Sequence, residues 1–202
     1  MTDGLILALR DADRAATLAL NGFSGGFTDA LMPLLSNRLV WAPLYILMIW
    51  YIWKRIGWKR TLALLLAVVV CVGAVDQIAN LVKDSVRRLR PCWDQYMLDG
   101  GLKVLVRKGG KYGFFSAHAA TLSAVATSVL YFLKRWDAGN KHRTLAWVLV
   151  FWVAAVSVSR VYVGKHFVGD ILAGAAAGVV LSFLISWFLR WVYDKFFTKF
   201  VN

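Results

Sequence analysis

Long apolar runs separated by short basic clusters set the class of this chain. A helix that crosses a bilayer needs about 20 largely apolar residues. Residues 61–82, 115–133, 144–163 and 168–189 satisfy that requirement. Residues 39–53 are as apolar but shorter. They reach spanning length only by extending back through Arg38 or by sitting beside thinned lipid. The pattern predicts an all-α, polytopic membrane helical bundle with about five transmembrane helices.

Residues 5–20 read differently. Leu5, Leu9, Ala12, Ala16 and Leu20 recur at helical spacing, with Arg10, Asp11, Asp13 and Arg14 between them. That predicts an amphipathic helix lying in the membrane interface, followed by a turn at Gly25-Gly26. Between Cys92 and Gly113 the chain turns polar. There Asp99-Gly100-Gly101, flanked by 95–98 and 102–106, predicts a small hairpin-like outer loop. The whole of 1–202 is expected to form a single membrane-embedded unit, with 1–30 as the interfacial segment and 31–202 as the transmembrane core. Gly174 and Gly178 have the small-xxx-small spacing that lets membrane helices approach closely.

Composition agrees with the apolar pattern. The chain has 202 residues, of which 59% are hydrophobic and 17% charged, too oily for a soluble domain of this size. A net charge of +13 could suggest nucleic acid, but the basic residues sit in short clusters between apolar runs and form no polar binding face. Nucleic acid is therefore not an expected partner. All eleven acidic residues are Asp, and the histidines are His118, His142 and His166. Cys71 lies inside an apolar run and Cys92 follows Pro91, which gives no disulfide framework. The N-terminus lacks a basic leader before an apolar core, so no cleaved signal is expected.

Loop charge orients the spans. Lys54, Arg55, Lys59 and Arg60 fill one short loop, and Lys134, Arg135, Lys141 and Arg143 another, while Arg190, Lys195 and Lys199 follow the last span. By the positive-inside rule these face the cytoplasm, with the N-terminus outside and the C-terminus inside. The remaining loops fall on the outer side although they too are basic. That conflict resolves if their cations bind an anion.

Those outer loops carry the chemistry. Asp76, Asn80, Lys83, Arg87 and Arg90 follow one another by three or four residues, which on a helix makes one polar stripe. Pro91 ends that helix at Arg90. Lys83 and Arg90 would stand about 10 Å apart along the axis, within reach of one phosphate. Ser116 is a good N-cap for the next apolar helix, whose N-terminus suits an anion, and His118 lies in its first turn. Ser159 and Arg160 close the following span. His166 and Asp170, four apart, are expected to share a face, so that the carboxylate orients one imidazole nitrogen and leaves the other free to attack. Fixed cations around a phosphoryl group are the main requirement of its transfer. No carboxylate cluster suggests a catalytic metal, and neither metal nor cofactor is expected.

The order Lys83-x6-Arg90-Pro91, then Ser116-x-His118, then Ser159-Arg160-x5-His166-x3-Asp170 resembles the type 2 phosphatidic acid phosphatase (PAP2) superfamily of integral-membrane lipid phosphatases. The resemblance implies roles. His166 would be the nucleophile that forms a phosphohistidine, Asp170 its orienting partner and His118 the acid on the leaving oxygen. Lys83, Arg90, Ser116, Arg160 and backbone N–H groups near Ala117 would hold the phosphoryl oxygens, with Arg87, Asp76 and Ser159 as secondary candidates. Phe115 and Ala117 depart from the family's Pro-Ser-Gly-His. Alanine is harmless if that position is helical and unsuitable if it needs a positive φ. Vanadate or phosphate are the implied site ligands. The resemblance points to a cytoplasmic (inner) membrane enzyme with its site on the outer face. Undecaprenyl diphosphate is the favoured substrate, with phosphatidylglycerol phosphate, phosphatidic acid and lipid A phosphate as alternatives. The surplus cations Arg87, Arg88, Lys103, Arg107, Lys108, Lys111 and Lys165 would suit a diphosphate or another strongly anionic headgroup. A protein that only binds or transports anionic lipid is the non-enzymatic alternative.

Overall fold

Each predicted apolar segment lies in a helix, to within one or two residues at the ends. The structure is a computed structural model that describes residues 2–23 and 25–196, so Lys199 lies outside the described residues. In chain order the helices are α1 (Thr2–Gly22), α2 (Gly26–Leu35), α3 (Ala42–Val86), α4 (Gln95–Asp99), α5 (Ala117–Trp136), α6 (Arg143–Tyr162) and α7 (Val168–Phe196). The stretch Arg38–Val86, α6 and α7 are each long and apolar enough to cross a bilayer.

The short first span gains its length as expected, because a 3-10 turn over Arg38–Trp41 leads directly into α3. Asn37 caps that turn by accepting from the backbone N–H of Leu39. α3 is not one continuous rod. Gly57 adopts φ 77° and ψ 165°, a backbone that residues with a side chain rarely take, and the chain folds back there. Met48 and Ile49 of the first arm therefore line the same cavity as Leu65, Val68 and Val72 of the second. Trp152 of α6 pins the first arm through edge contacts with Trp41 and Tyr45, at 6.4 and 5.6 Å between ring centroids.

α5 occupies the centre and packs against α3, α6 and α7. That position explains its composition. A helix surrounded by other helices gains from Ala, Ser and Thr, which permit close approach and bond across the interface. Ser128 and Ser186 form one such bond at 3.0 Å. The glycines of α7 meet the same helix: a Cβ at Gly178 would lie 2.1 Å from the Ala120 carbonyl oxygen, and one at Gly174 2.5 Å from that of Ser116. The contact between α5 and α7 thus depends on the spacing noted in the sequence.

The two ends of the bundle differ. At one end the α5–α6 connection meets the bend of α3, through an Arg55–Asp137 ion pair at 3.2 Å and a Tyr51–His142 contact at 3.0 Å. Both basic loops assigned to the cytoplasm are there. The start of α5, the end of α6 and the start of α7 gather at the other end, with the polar segment 87–116.

One local expectation is corrected. The 95–106 segment is not a hairpin. Asp94 caps a single turn of helix by accepting from Tyr96 N–H at 3.1 Å, which turns Met97 inward against Leu102 and Phe167. The antiparallel bridge among the described residues lies elsewhere, between Leu89 and Tyr112. α1 covers the helix expected over residues 5–20. Its apolar residues Leu5, Ile6 and Leu9 face outward, whereas Thr17 and Asn21 are buried against the bundle. Leu18 and Leu20 also pack against the bundle, the first beside Met97 and Phe167 and the second beside Ala119 and Val161.

The close approach of α5 and α7 gives a first test. Gly178→Ala should destabilise the folded protein by about 1–3 kcal/mol, because the methyl meets backbone that cannot swing aside. Gly73→Ala, where nothing lies within 4 Å of the added carbon, should be neutral or raise stability by up to about 1 kcal/mol. Thermal unfolding in detergent measures both; equal effects would contradict the packing.

Candidate active site

The site is assembled from the second arm of α3 and three connections. α3 ends at Val86, with Arg87 in the left-handed conformation at φ 50°. The polar stripe expected to run on to Arg90 therefore stops early. On the helix, Asn80 approaches Asp76 at 3.5 Å and accepts from Lys83 at 3.1 Å. Arg87 is exposed, and its Nε donates to the Asp84 carbonyl. Beyond the helix, residues 88–90 run beside 111–113. Gly113 N–H bonds the Arg88 carbonyl and Arg90 N–H bonds the Lys111 carbonyl, at 2.9 and 3.0 Å. Arg90 is extended, as its place before proline requires, and its Nε donates to the Tyr112 carbonyl at 2.9 Å. Gly113 has to lack a side chain, since a Cβ would sit 2.8 Å from Arg90 Cγ and 3.3 Å from Asp170 Oδ2.

Ser116 caps α5, its hydroxyl oxygen accepting from Ala119 N–H at 3.4 Å. Ala117 is the first helical residue, so alanine carries no backbone penalty there. The N–H groups at this helix start precede the intrahelical ladder and point outward with the positive end of the dipole. His118 follows in the same turn. The cations acting on it are Arg160, Arg38 and Arg90, drawn from three separate parts of the chain, and the His166 ring lies close enough to act on it when protonated.

His166 does not share a helix with Asp170. It sits in the turn between α6 and α7, made possible by Gly164 at φ 78°, and is 2% exposed. Asp170 is in the first turn of α7 and fully buried. Its Oδ2 accepts from Phe167 N–H at 3.0 Å and lies 3.5 Å from His166 Nδ1, close but longer than a formed hydrogen bond. Its Oδ1 accepts from Arg88 at 2.8 Å, and its carbonyl accepts from Ser116 N–H at 2.9 Å. One residue thus joins all three sequence motifs. Burial is the main influence on His166 and pushes its pKa down to about 4, with Asp170 opposing and Arg90 and Arg160 adding to the shift. The ring is neutral at pH 7 and its lone pair is available.

Arg160, at the end of α6, donates from Nη1 to the hydroxyl of Ser36, while its buried Nε has no protein partner. Such a donor in a cationic pocket suits an anion. Ser36 and Arg38 belong to the turn before α3 and were not singled out in the sequence, where one arginine beside an apolar run carries no motif. Two surplus cations prove to be engaged within the protein. Arg88 holds Asp170 and Asp13, and Lys165 donates to the carbonyls of Arg107 and Lys108. The hydroxyl of Ser159 bonds the Val156 carbonyl of its own helix.

An apolar cavity of about 290 Å³ extends from His118 between the two arms of α3 and α6, lined by Trp41, Tyr45, Met48, Leu65 and Val68 among others, with Arg38 at its polar end. Its apolar lining suits a hydrocarbon chain whose polar end is at the site.

The depressed pKa of His166 has a measurable sign. Its unfolded counterpart takes a proton near 6.5 and the folded one near 4. The neutral ring therefore contributes stability fully above pH 6.5, and that contribution is lost as pH falls toward 4. NMR of ¹⁵N-labelled histidine, assigned with a His166→Asn variant, should show this ring titrating near 4. Titration near 6.5 would contradict the buried geometry.

Comparison with known proteins identifies the family. The PAP2 superfamily profile matches residues 60–194. A lipid A 4′-phosphatase of Bacteroides thetaiotaomicron is 31% identical over 86% of this chain and 75% of its own length. An undecaprenyl-diphosphatase of Sulfolobus acidocaldarius is 27% identical over 77% of this chain and 68% of its own. Among solved structures, the PAP2-type phosphatidylglycerolphosphate phosphatase of Bacillus subtilis superposes with a TM-score of 0.68 at 23% identity, covering 96% of this chain and 89% of that one. The chain belongs to the PAP2 superfamily and is a membrane phosphatase of lipid phosphates.

Proposed function

We propose that this enzyme removes a phosphate from a lipid A-type glycolipid at the outer face of the cytoplasmic membrane, through a phosphohistidine and without a metal. The whole chain acts as one catalytic unit. Nε2 of His166 attacks phosphorus while Asp170 holds the opposite nitrogen and offsets the charge that develops on the ring. Arg90, Arg160, Lys83, Ser116 and the first amides of α5 at Ala117 receive the three equatorial oxygens. His118 gives a proton to the leaving oxygen, and the lipid departs as its alcohol. Water then attacks the phosphohistidine, returning that proton to His118 and releasing phosphate with His166 restored.

The observation that carries the substrate assignment is the extended identity to the lipid A 4′-phosphatase. The apolar cavity beside His118 supports a lipid leaving group of any kind. Undecaprenyl diphosphate is the second reading, favoured by the relative named for that substrate.

Phosphate release by purified protein in detergent, across lipid A, undecaprenyl diphosphate, phosphatidylglycerol phosphate and phosphatidic acid, distinguishes these readings. The proposal expects kcat/KM on lipid A at least tenfold above the others, whereas a preference for the diphosphate establishes the second reading. Turnover should survive EDTA and be inhibited by vanadate, a mimic of the pentacoordinate transition state. His166→Ala should lower kcat by at least 10³-fold; near-normal turnover in the folded variant excludes this nucleophile.

A further inference from the structure

Arg88 lies between two carboxylates, and only one of them belongs to the sequence motifs. Its Nη1 donates to Asp170 Oδ1 at 2.8 Å and its Nη2 to Asp13 Oδ2 at 2.6 Å. The guanidinium carbon lies over the Phe167 ring, 4.1 Å from its centroid. Asp13 is on α1, more than 150 positions from Asp170 in sequence, and does a second thing there. Its Oδ1 accepts from the backbone N–H of Gly169 at 2.8 Å, at the start of α7. Thr17 and Asn21 lie one and two turns further along the same face. Thr17 accepts from Val168 N–H at 3.2 Å, and Asn21 donates to the carbonyls of Tyr162 and Lys103. Gly169 lacks a side chain where one would collide with Asp13, its Cβ standing 2.8 Å from Oδ2.

The charge balance of this group decides how strongly Asp170 can act on His166. An arginine paired with Asp170 alone would neutralise the carboxylate and weaken its hold on the imidazole. A second carboxylate on the far side of the guanidinium takes part of that positive charge. Asp170 is then left with negative charge to offer as His166 becomes cationic during attack.

We propose that Asp13 of the N-terminal helix is a positioning residue, which shares Arg88 with Asp170 and so keeps the buried carboxylate effective toward His166. This rests on His166 being the nucleophile. The groups facing His166 are Asp170 on α7, Arg90 on the 88–90 segment, Arg160 on α6 and His118 on α5. Asp13 acts on it only through Arg88 and the start of α7. α1, whose outer face is apolar, therefore contributes to catalysis as well as to membrane contact.

Asp13→Asn keeps the shape and the acceptor for Gly169 N–H but removes the charge. Its kcat should fall at least tenfold with KM changed less than threefold, and the His166 titration should move lower. A purely structural role would instead lower the amount of folded protein, or change KM and kcat together. The charge account makes a second demand. In an Arg88→Gln background, Asp13→Asn should cost less than threefold further, because no guanidinium is left to balance. The proposal is overturned if Asp13→Asn retains kcat within twofold, or if its cost is undiminished without Arg88. Activity surviving in His166→Ala would instead refute the nucleophile on which the proposal stands.

Discussion

A single buried carboxylate organises the functional end of this protein. Asp170 is fully inaccessible, and an ionised carboxylate in that position is tolerable only when hydrogen bonds and an opposite charge surround it. Arg88 supplies the opposite charge and Phe167 N–H a hydrogen bond, from two separate stretches of chain, with His166 beside Phe167 in the α6–α7 turn. Removing one member of such a group typically costs about 3–5 kcal/mol, since the remaining charge is stranded. The constraint that orients the imidazole is therefore also a constraint on the fold. The segment 88–90, the α6–α7 turn and the first turn of α5 are fixed relative to one another because all of them satisfy Asp170.

The apolar bundle supplies the rigidity behind this. α5 and α7 approach closely enough that glycine is needed at 174 and 178, and that approach brings the Ser116 backbone against Asp170. Membrane packing thus sets the separation between the helix start holding His118 and the turn holding His166. The cations are positioned by backbone carbonyls as much as by side chains, as Arg90 and Lys165 illustrate. An anion arriving among Arg90, Arg160 and the α5 N-terminus meets donors held in place before it binds, which is the condition for electrostatic stabilisation of a transition state.

Much of this was legible in the sequence because hydropathy and motif spacing are local properties. The apolar runs became helices, the Ser116 cap was visible from its residue type, and the glycine spacing in α7 foretold its contact. What escaped depended on contacts between distant segments. Nothing in 80–91 indicates that the helix stops at Val86, since the left-handed turn at Arg87 is held by the pairing of 88–90 with 111–113. Asp99-Gly100-Gly101 resembles hairpin punctuation, yet burial of Met97 favoured a helical turn. Asp13 read as one charge on an amphipathic face, because its partners lie 75 and 156 positions away. The same holds for Arg38 and Ser36, which reach the site only because α2 folds over the end of α6.

The central claim is that the neutral, buried ring of His166 forms a bond to phosphorus. Rapid denaturing quench during turnover of a ³²P-labelled lipid phosphate tests it most directly, followed by mapping of the labelled peptide. The account predicts a label that is stable in base, labile in acid and carried by His166. An unlabelled enzyme at full turnover, or a label on any other residue, would contradict it.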